Sequence, residues 1–178
     1  MSQPDRGPAH RGISGVSRVE EPAGRGRHIS NVTAARGSPV EGPPHSDGRL
    51  TIFAAMPFDP AFDDVYFVGI VAAAKALGGT AIRVDQVMHG ADAVAETQRQ
   101  IRRCDAVIAD LSTSEPDVLY ELGFAEAIGK PSVQICSTPY DELPFMVRNR
   151  DTLLYRPGRT HLLGQQLATY LSQLLAAD

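Results

Sequence analysis

The chain has 178 residues, a formal net charge of -4 and a pI near 5.7. That length suits a single domain, and the acidic balance gives no support to nucleic-acid binding by bulk attraction. No apolar run approaches the roughly 18 residues that a spanning helix needs, and no apolar secretory core opens the chain, so a cytoplasmic protein away from membranes is expected.

Composition shifts sharply near Leu50. The first 48 residues hold six prolines, eight glycines and six serines, and their few aliphatic residues (Ile13, Val16, Ile29, Val32) follow no helical or strand period. Such a segment buries too little apolar surface to offset its ordering entropy, which predicts a disordered tail over 1–48 and a folded domain over 49–178. "LTIFAAM" (50–56) then reads as a buried strand stopped by Pro57. A helix is expected over 60–78, with Phe62, Val65, Tyr66, Ile70, Ala73 and Leu77 near a 3.6-residue period and Gly78 and Gly79 at its end. "TAIRVD" (80–85) is a second strand, and 91–104 an amphipathic helix with a polar outer face. "DAVIADL" (105–111) is apolar enough throughout to lie inside a parallel sheet. A helix from about 115 to 128 follows, then a strand over 131–137, a loop, a short strand over 152–155 and a last helix over 160–177.

Strands alternating with helices imply βαβ units: an α/β, flavodoxin-like, doubly wound parallel sheet of five strands in the order 2-1-3-4-5, with helices on both faces. In such sheets ligands bind beyond the carboxyl ends of the strands, at the switch between strands one and three. The rule brings together "MPFDP" after strand one, Asp85 after strand two, "DLSTSEPD" after strand three and "STPYDELPF" after strand four. Candidate ligand contacts are therefore Met56, Pro57, Phe58, Tyr66, Asp110, Ser112, Ser114, Tyr120 and Phe145. Tyr66 and Phe58 have rings suited to stacking on a base, although core packing also explains Phe58. Arg148 and Arg150 suit either a phosphate or a solvated surface.

The helix beginning near residue 115 carries the sharpest signal. Glu121 stands among Val118, Leu119, Leu122, Phe124 and Ala125, where a carboxylate costs desolvation energy unless something satisfies it. Either it bonds a backbone amide or a tyrosine such as Tyr120 or Tyr66, or it faces the crevice as a nucleophile or general base. Asp117 lies four residues earlier, on the same helical face, where it also complements the helix dipole. Ser112 or Ser114 is expected to cap this helix, with Pro116 in the first turn and Gly123 allowing close packing on the sheet. Cys104 and Cys136 fall at apolar segments and read as buried free thiols. No Cys/His/Asp spacing suggests a metal, and neither a phosphate-binding glycine loop nor a dinucleotide fingerprint occurs, so no cofactor is expected.

"CDAVIADLSTSEPDVLYELGFAEAIGKP" (104–131) resembles the core of the nucleoside 2-deoxyribosyltransferase-like superfamily, with "YELGFA" after "ADLS" as its most specific part. That superfamily includes nucleoside deoxyribosyltransferases, nucleotide N-glycoside hydrolases and bacterial TIR-like nucleotide-binding domains. "AAMPFDPAFDDVY" with the later "LPF" is most similar to the TIR-like branch. The resemblance covers roughly 50–156 and implies Glu121 as a nucleophile on the anomeric carbon of a sugar. Asp85 or Asp110 would then be the second acid, with Asp117 a further catalytic candidate, and the ligand a nucleoside, nucleotide or NAD-like molecule. It also implies a homodimer or larger homo-oligomer, to which the leucine-rich last helix would contribute. Members that take 5'-monophosphates typically have a Gly/Ser/Arg-rich loop after strand one, whereas "MPFDPAFDD" is acidic and lacks glycine. The transferases also carry an aspartate before strand three, where this chain offers Glu96.

Overall fold

The computed structural model describes residues 48–84, 91–148 and 150–176. The tail assigned to 1–48 thus lies, apart from Gly48, outside the described residues, as does Asp85.

Five parallel strands form one sheet: β1 (Thr51–Ala55), β2 (Thr80–Ile82), β3 (Ala106–Asp110), β4 (Ser132–Cys136) and β5 (Thr152–Leu154), in the order β2-β1-β3-β4-β5. This is the expected doubly wound, flavodoxin-like α/β fold. β1 pairs with β3 from Ile52↔Ala106 to Ala55↔Ala109, and Asp110 stands opposite Ile135 at the carboxyl edge. Every residue of β1 and β3 is buried, because helices cover both faces.

The two-residue alternation of a strand divides the core in two. Ile52, Ala54, Ala106, Ile108, Val133 and Ile135 face one layer, closed by α1 (Val71–Ala76) and α5 (Thr160–Ala176) through Ala73, Ala74, Leu163, Leu167 and Leu171. Phe53, Ala55, Val107, Ala109 and Cys136 face the other, closed by α2 (Ala91–Arg103) and α3 (Pro116–Ala127) through Ile101, Val118, Leu122 and Ala125. Tyr170, Leu174 and Leu175 of α5 pack partly against the first layer, which accounts for most of that helix's surplus apolar residues.

The helix expected over 60–78 is instead three pieces. A 3-10 turn (Pro60–Phe62) is capped by the Asp59 side chain, which accepts from the Ala61 N–H at 2.8 Å. A π-helical segment (Val65–Ile70) follows, then α1. The wide turn coincides with a close crossing against α5: a Cβ on Gly164 would lie 2.9 Å from the Val68 carbonyl oxygen, so only glycine fits there without moving backbone. Gly78 ends α1 at φ +74, as its position suggested.

The stretch read as a loop after β4 contains a 3-10 turn (Tyr140–Glu142) and a single helical turn, α4 (Phe145–Arg148), which bury Leu143 and Val147 in the second layer. One turn is too short to show a period. Cys104 and Cys136 are buried and free, as expected, and burial pushes the Cys104 thiol up to about 11. No helix among the described residues is long and apolar enough to cross a membrane.

Candidate active site

The β3–α3 segment carries two acids whose surroundings differ. Asp110 ends β3 with no exposed surface. Its Oδ1 accepts from the Ser112 N–H at 3.0 Å and the Ser112 hydroxyl at 2.5 Å, and its Oδ2 accepts from the Tyr155 hydroxyl at 2.8 Å. The Ser112 Oγ also lies 3.1 Å from the Tyr155 hydroxyl and accepts from the Ser137 N–H at 2.9 Å. The network ties the ends of β3, β4 and β5 together. Burial outweighs these donors and moves the Asp110 pKa up; burial and the Asp110 charge raise that of Tyr155.

The segment then turns through Ser114, a non-glycine residue at φ 50, a conformation that costs roughly 1–2 kcal/mol and persists only where the surroundings enforce it. Neither serine caps α3. Ser112 belongs to the Asp110 network, and the Ser114 hydroxyl donates to the Leu111 carbonyl at 3.3 Å. The N-cap is Glu115, without a side-chain cap bond, and Pro116 opens the first turn as expected. Asp117 follows, exposed, in that turn.

Glu121 is half-buried one turn further on, and no hydrogen bond or ion pair reaches its carboxylate among the described residues. Burial, and secondarily the Asp117 charge, push its pKa up to about 7. The tyrosines that might have satisfied it are engaged elsewhere: Tyr120 accepts from the Gln98 side-chain amide at 2.7 Å, and Tyr66 donates to the Ala81 carbonyl at 3.3 Å. Glu121 is therefore a desolvated acid that neither main-chain donors nor those tyrosines hold, poised near neutral pH for proton transfer or nucleophilic attack. It does not line the hollow of about 210 Å³ at the end of β5.

The other expected contacts scatter. Met56 and Pro57 are buried, Met56 within the first core layer. Phe58 is 45% exposed, but its ring and that of Tyr66 flank the Arg83 guanidinium, 5.9 and 4.6 Å from the ring centroids, and Arg83 pairs with Asp63 at 3.4 Å. The two rings expected for a base thus pack on an arginine, a cation–π arrangement that partly offsets that loop's acidity. Tyr120 and Phe145 are exposed. Gly123 is exposed too, and a Cβ there would meet nothing within 4 Å, so it does not serve close packing on the sheet.

Glu96 is bound within its own helix by Arg99 and Gln100. Arg148 donates to the Asp141 carbonyl, and Arg150 pairs with Glu126 at 2.8 Å. The structure thus brings Asp110 and Ser112 into one network and Asp117 and Glu121 onto one helix. Sequence reasoning missed Tyr155, Ser137 and Arg83, although each stands at or just past the carboxyl end of a strand, where the edge rule was already pointing. Among the described residues no three His, Cys, Asp or Glu side chains gather as a metal cradle.

No protein-family model matches this chain, and no curated protein matches it. Among solved structures it is similar to a 2-desoxiribosyltransferase from Leishmania mexicana, at 30% identity over 50% of this chain and 65% of that one, with a TM-score of 0.44. The match therefore spans under two thirds of that protein's length.

Proposed function

We propose that the domain binds a nucleoside, nucleotide or NAD-like ligand and cleaves or transfers its N-glycosidic bond, with Glu121 as the nucleophile. The observation that carries this reading is a carboxylate that meets no partner among the described residues and whose pKa is pushed up to about 7 inside a mostly apolar helix. Sequence supports it through "YELGFA", whose resemblance to the deoxyribosyltransferase-like superfamily falls on this glutamate. The transfer reaction in the name of the Leishmania protein belongs to that protein, and the short overlap adds no weight.

In the proposed reaction the ionised Glu121 oxygen attacks the anomeric carbon as the bond to the base breaks. The base leaves with the bonding electron pair and takes up a proton, and water or a second base then displaces the carboxylate. Asp85 remains our proposed proton donor. Burial, and secondarily the charge of Asp117 one turn before it, holds the nucleophile's pKa near neutrality. Catalysis by the ionised form requires turnover to rise with pH through about 7.

The test is incubation with a panel of nucleosides, nucleotides and NAD, with released base followed by chromatography, for the parent chain and Glu121→Gln. We expect base release by the parent and a loss of at least about 100-fold in the variant, with binding retained. Binding of the same ligands without base release by the parent would replace the enzyme with a TIR-like sensor. Neither binding nor release would contradict both readings.

A further inference from the structure

A second place on the same sheet edge has the makings of a binding site and shares no residue with α3. Beyond β5 the chain runs through Tyr155 and Arg156, turns at Gly158 (φ +78) and enters α5, with the Arg159 N–H donating to the Arg156 carbonyl at 3.0 Å. This turn and the first turns of α5 border a half-open hollow of about 210 Å³, with Tyr155 and Leu163 as its buried lining and Gln166 among its walls. The volume lies below the range of roughly 300–1,000 Å³ usual for drug-sized ligands, so its occupant is small.

Its chemistry is specific. Arg156 and Arg159 both line it, both are exposed, and neither guanidinium meets a hydrogen-bond or ion-pair partner among the described residues. Three arginines elsewhere do meet an acid, Arg83 with Asp63, Arg99 with Glu96 and Arg150 with Glu126, whereas these two stand side by side over a hollow. Two cations without counter-charges, on one tight turn of a chain of net charge -4, form a local positive site. Beside them Leu154 and Leu162 are 55% and 42% exposed, and Leu162 is the large apolar side chain of α5 left uncovered.

We propose that this hollow binds a small anion with an apolar body, its phosphate or carboxylate oxygens held by Arg156 and Arg159 and its apolar part covered by Leu154 and Leu162. Guanidinium groups suit this task because their fork of N–H donors matches both kinds of oxyanion. The site is independent of the reaction proposed for Glu121.

Titration calorimetry on the full chain tests it, with phenyl phosphate, benzoate, inorganic phosphate and benzyl alcohol as probes. We expect one phenyl phosphate or benzoate per chain, the stronger of the two identifying the anion class, with benzyl alcohol not binding. Arg156→Gln with Arg159→Gln should weaken the favoured probe by about tenfold or more, because each guanidinium contributes charge-assisted bonds. Leu162→Ala should weaken the aromatic probe and leave inorganic phosphate unchanged. Glu121→Gln should bind as the parent does, which separates this site from the reaction centre. Equal binding by the double-arginine variant, or no binding of either aromatic anion at millimolar concentration, would overturn the proposal.

Discussion

Asp110 and Glu121 lie on one segment of chain, both are pushed toward protonation by burial, and they differ in what meets them. Asp110 accepts from an amide and two hydroxyls, one of them 45 residues away on Tyr155. Glu121 meets no donor among the described residues, and its other influence is repulsion from Asp117. A buried acid with matched donors fastens strand ends together. One left unmatched costs stability that the fold must supply elsewhere, and such a cost is the usual mark of a working group. The raised pKa alone does not separate the two; the hydrogen-bond inventory does.

Removing each acid should therefore have opposite effects. Asp110→Ala leaves the Tyr155 hydroxyl and the Ser112 amide without their acceptor, and should destabilise the domain by about 3 kcal/mol in urea unfolding. A loss under about 1 kcal/mol would show the network to be dispensable. Glu121→Gln should stabilise above neutrality. Because the folded-state pKa lies above the ordinary value, the native form binds more protons between about 4.5 and 7, so stability falls as pH rises through that window. The penalty is complete above 7 and absent below about 4.5. After discounting for the residual exposure of the side chain, the variant should gain about 2 kcal/mol at pH 8 and nothing at pH 4. Equal stability at both pH values would mean that the carboxylate is solvated or paired after all.

The smallest effect concerns the outer surface of α3. Gly123 has open space where a Cβ would sit, so Gly123→Ala should raise stability by about 1 kcal/mol through helix propensity alone. A decrease would reveal a contact of this helix with another molecule, such as a second copy of the chain.

The sheet was legible because its central strands are continuous apolar runs between helical periods; all five strands fall within the expected spans, and the core residues follow from their alternation. Glu121 was legible for a related reason, since one carboxylate among apolar helix neighbours breaks the local pattern. What was hidden is what depends on distant partners. The break in the helix over 60–78 accompanies a crossing with Gly164, far along the chain. The Phe58 and Tyr66 rings carry no local sign that Arg83 packs on both. Asp110 reads as a ligand contact or a reactive acid until Tyr155 is seen to donate to it. Gly123 looked like a packing residue because helix glycines often are, and its exposure comes from the orientation of α3.

The central claim is that Glu121 is an unmatched, desolvated carboxylate, and its own titration tests this most directly. The side-chain carboxyl carbon of Glu121, assigned by its absence in Glu121→Gln, can be followed by NMR across the pH range in the ligand-free chain. A midpoint near 7 is predicted, with a shift to lower pH in Asp117→Asn as the neighbouring charge is removed. A midpoint near 4.5, unmoved by that substitution, would contradict the account.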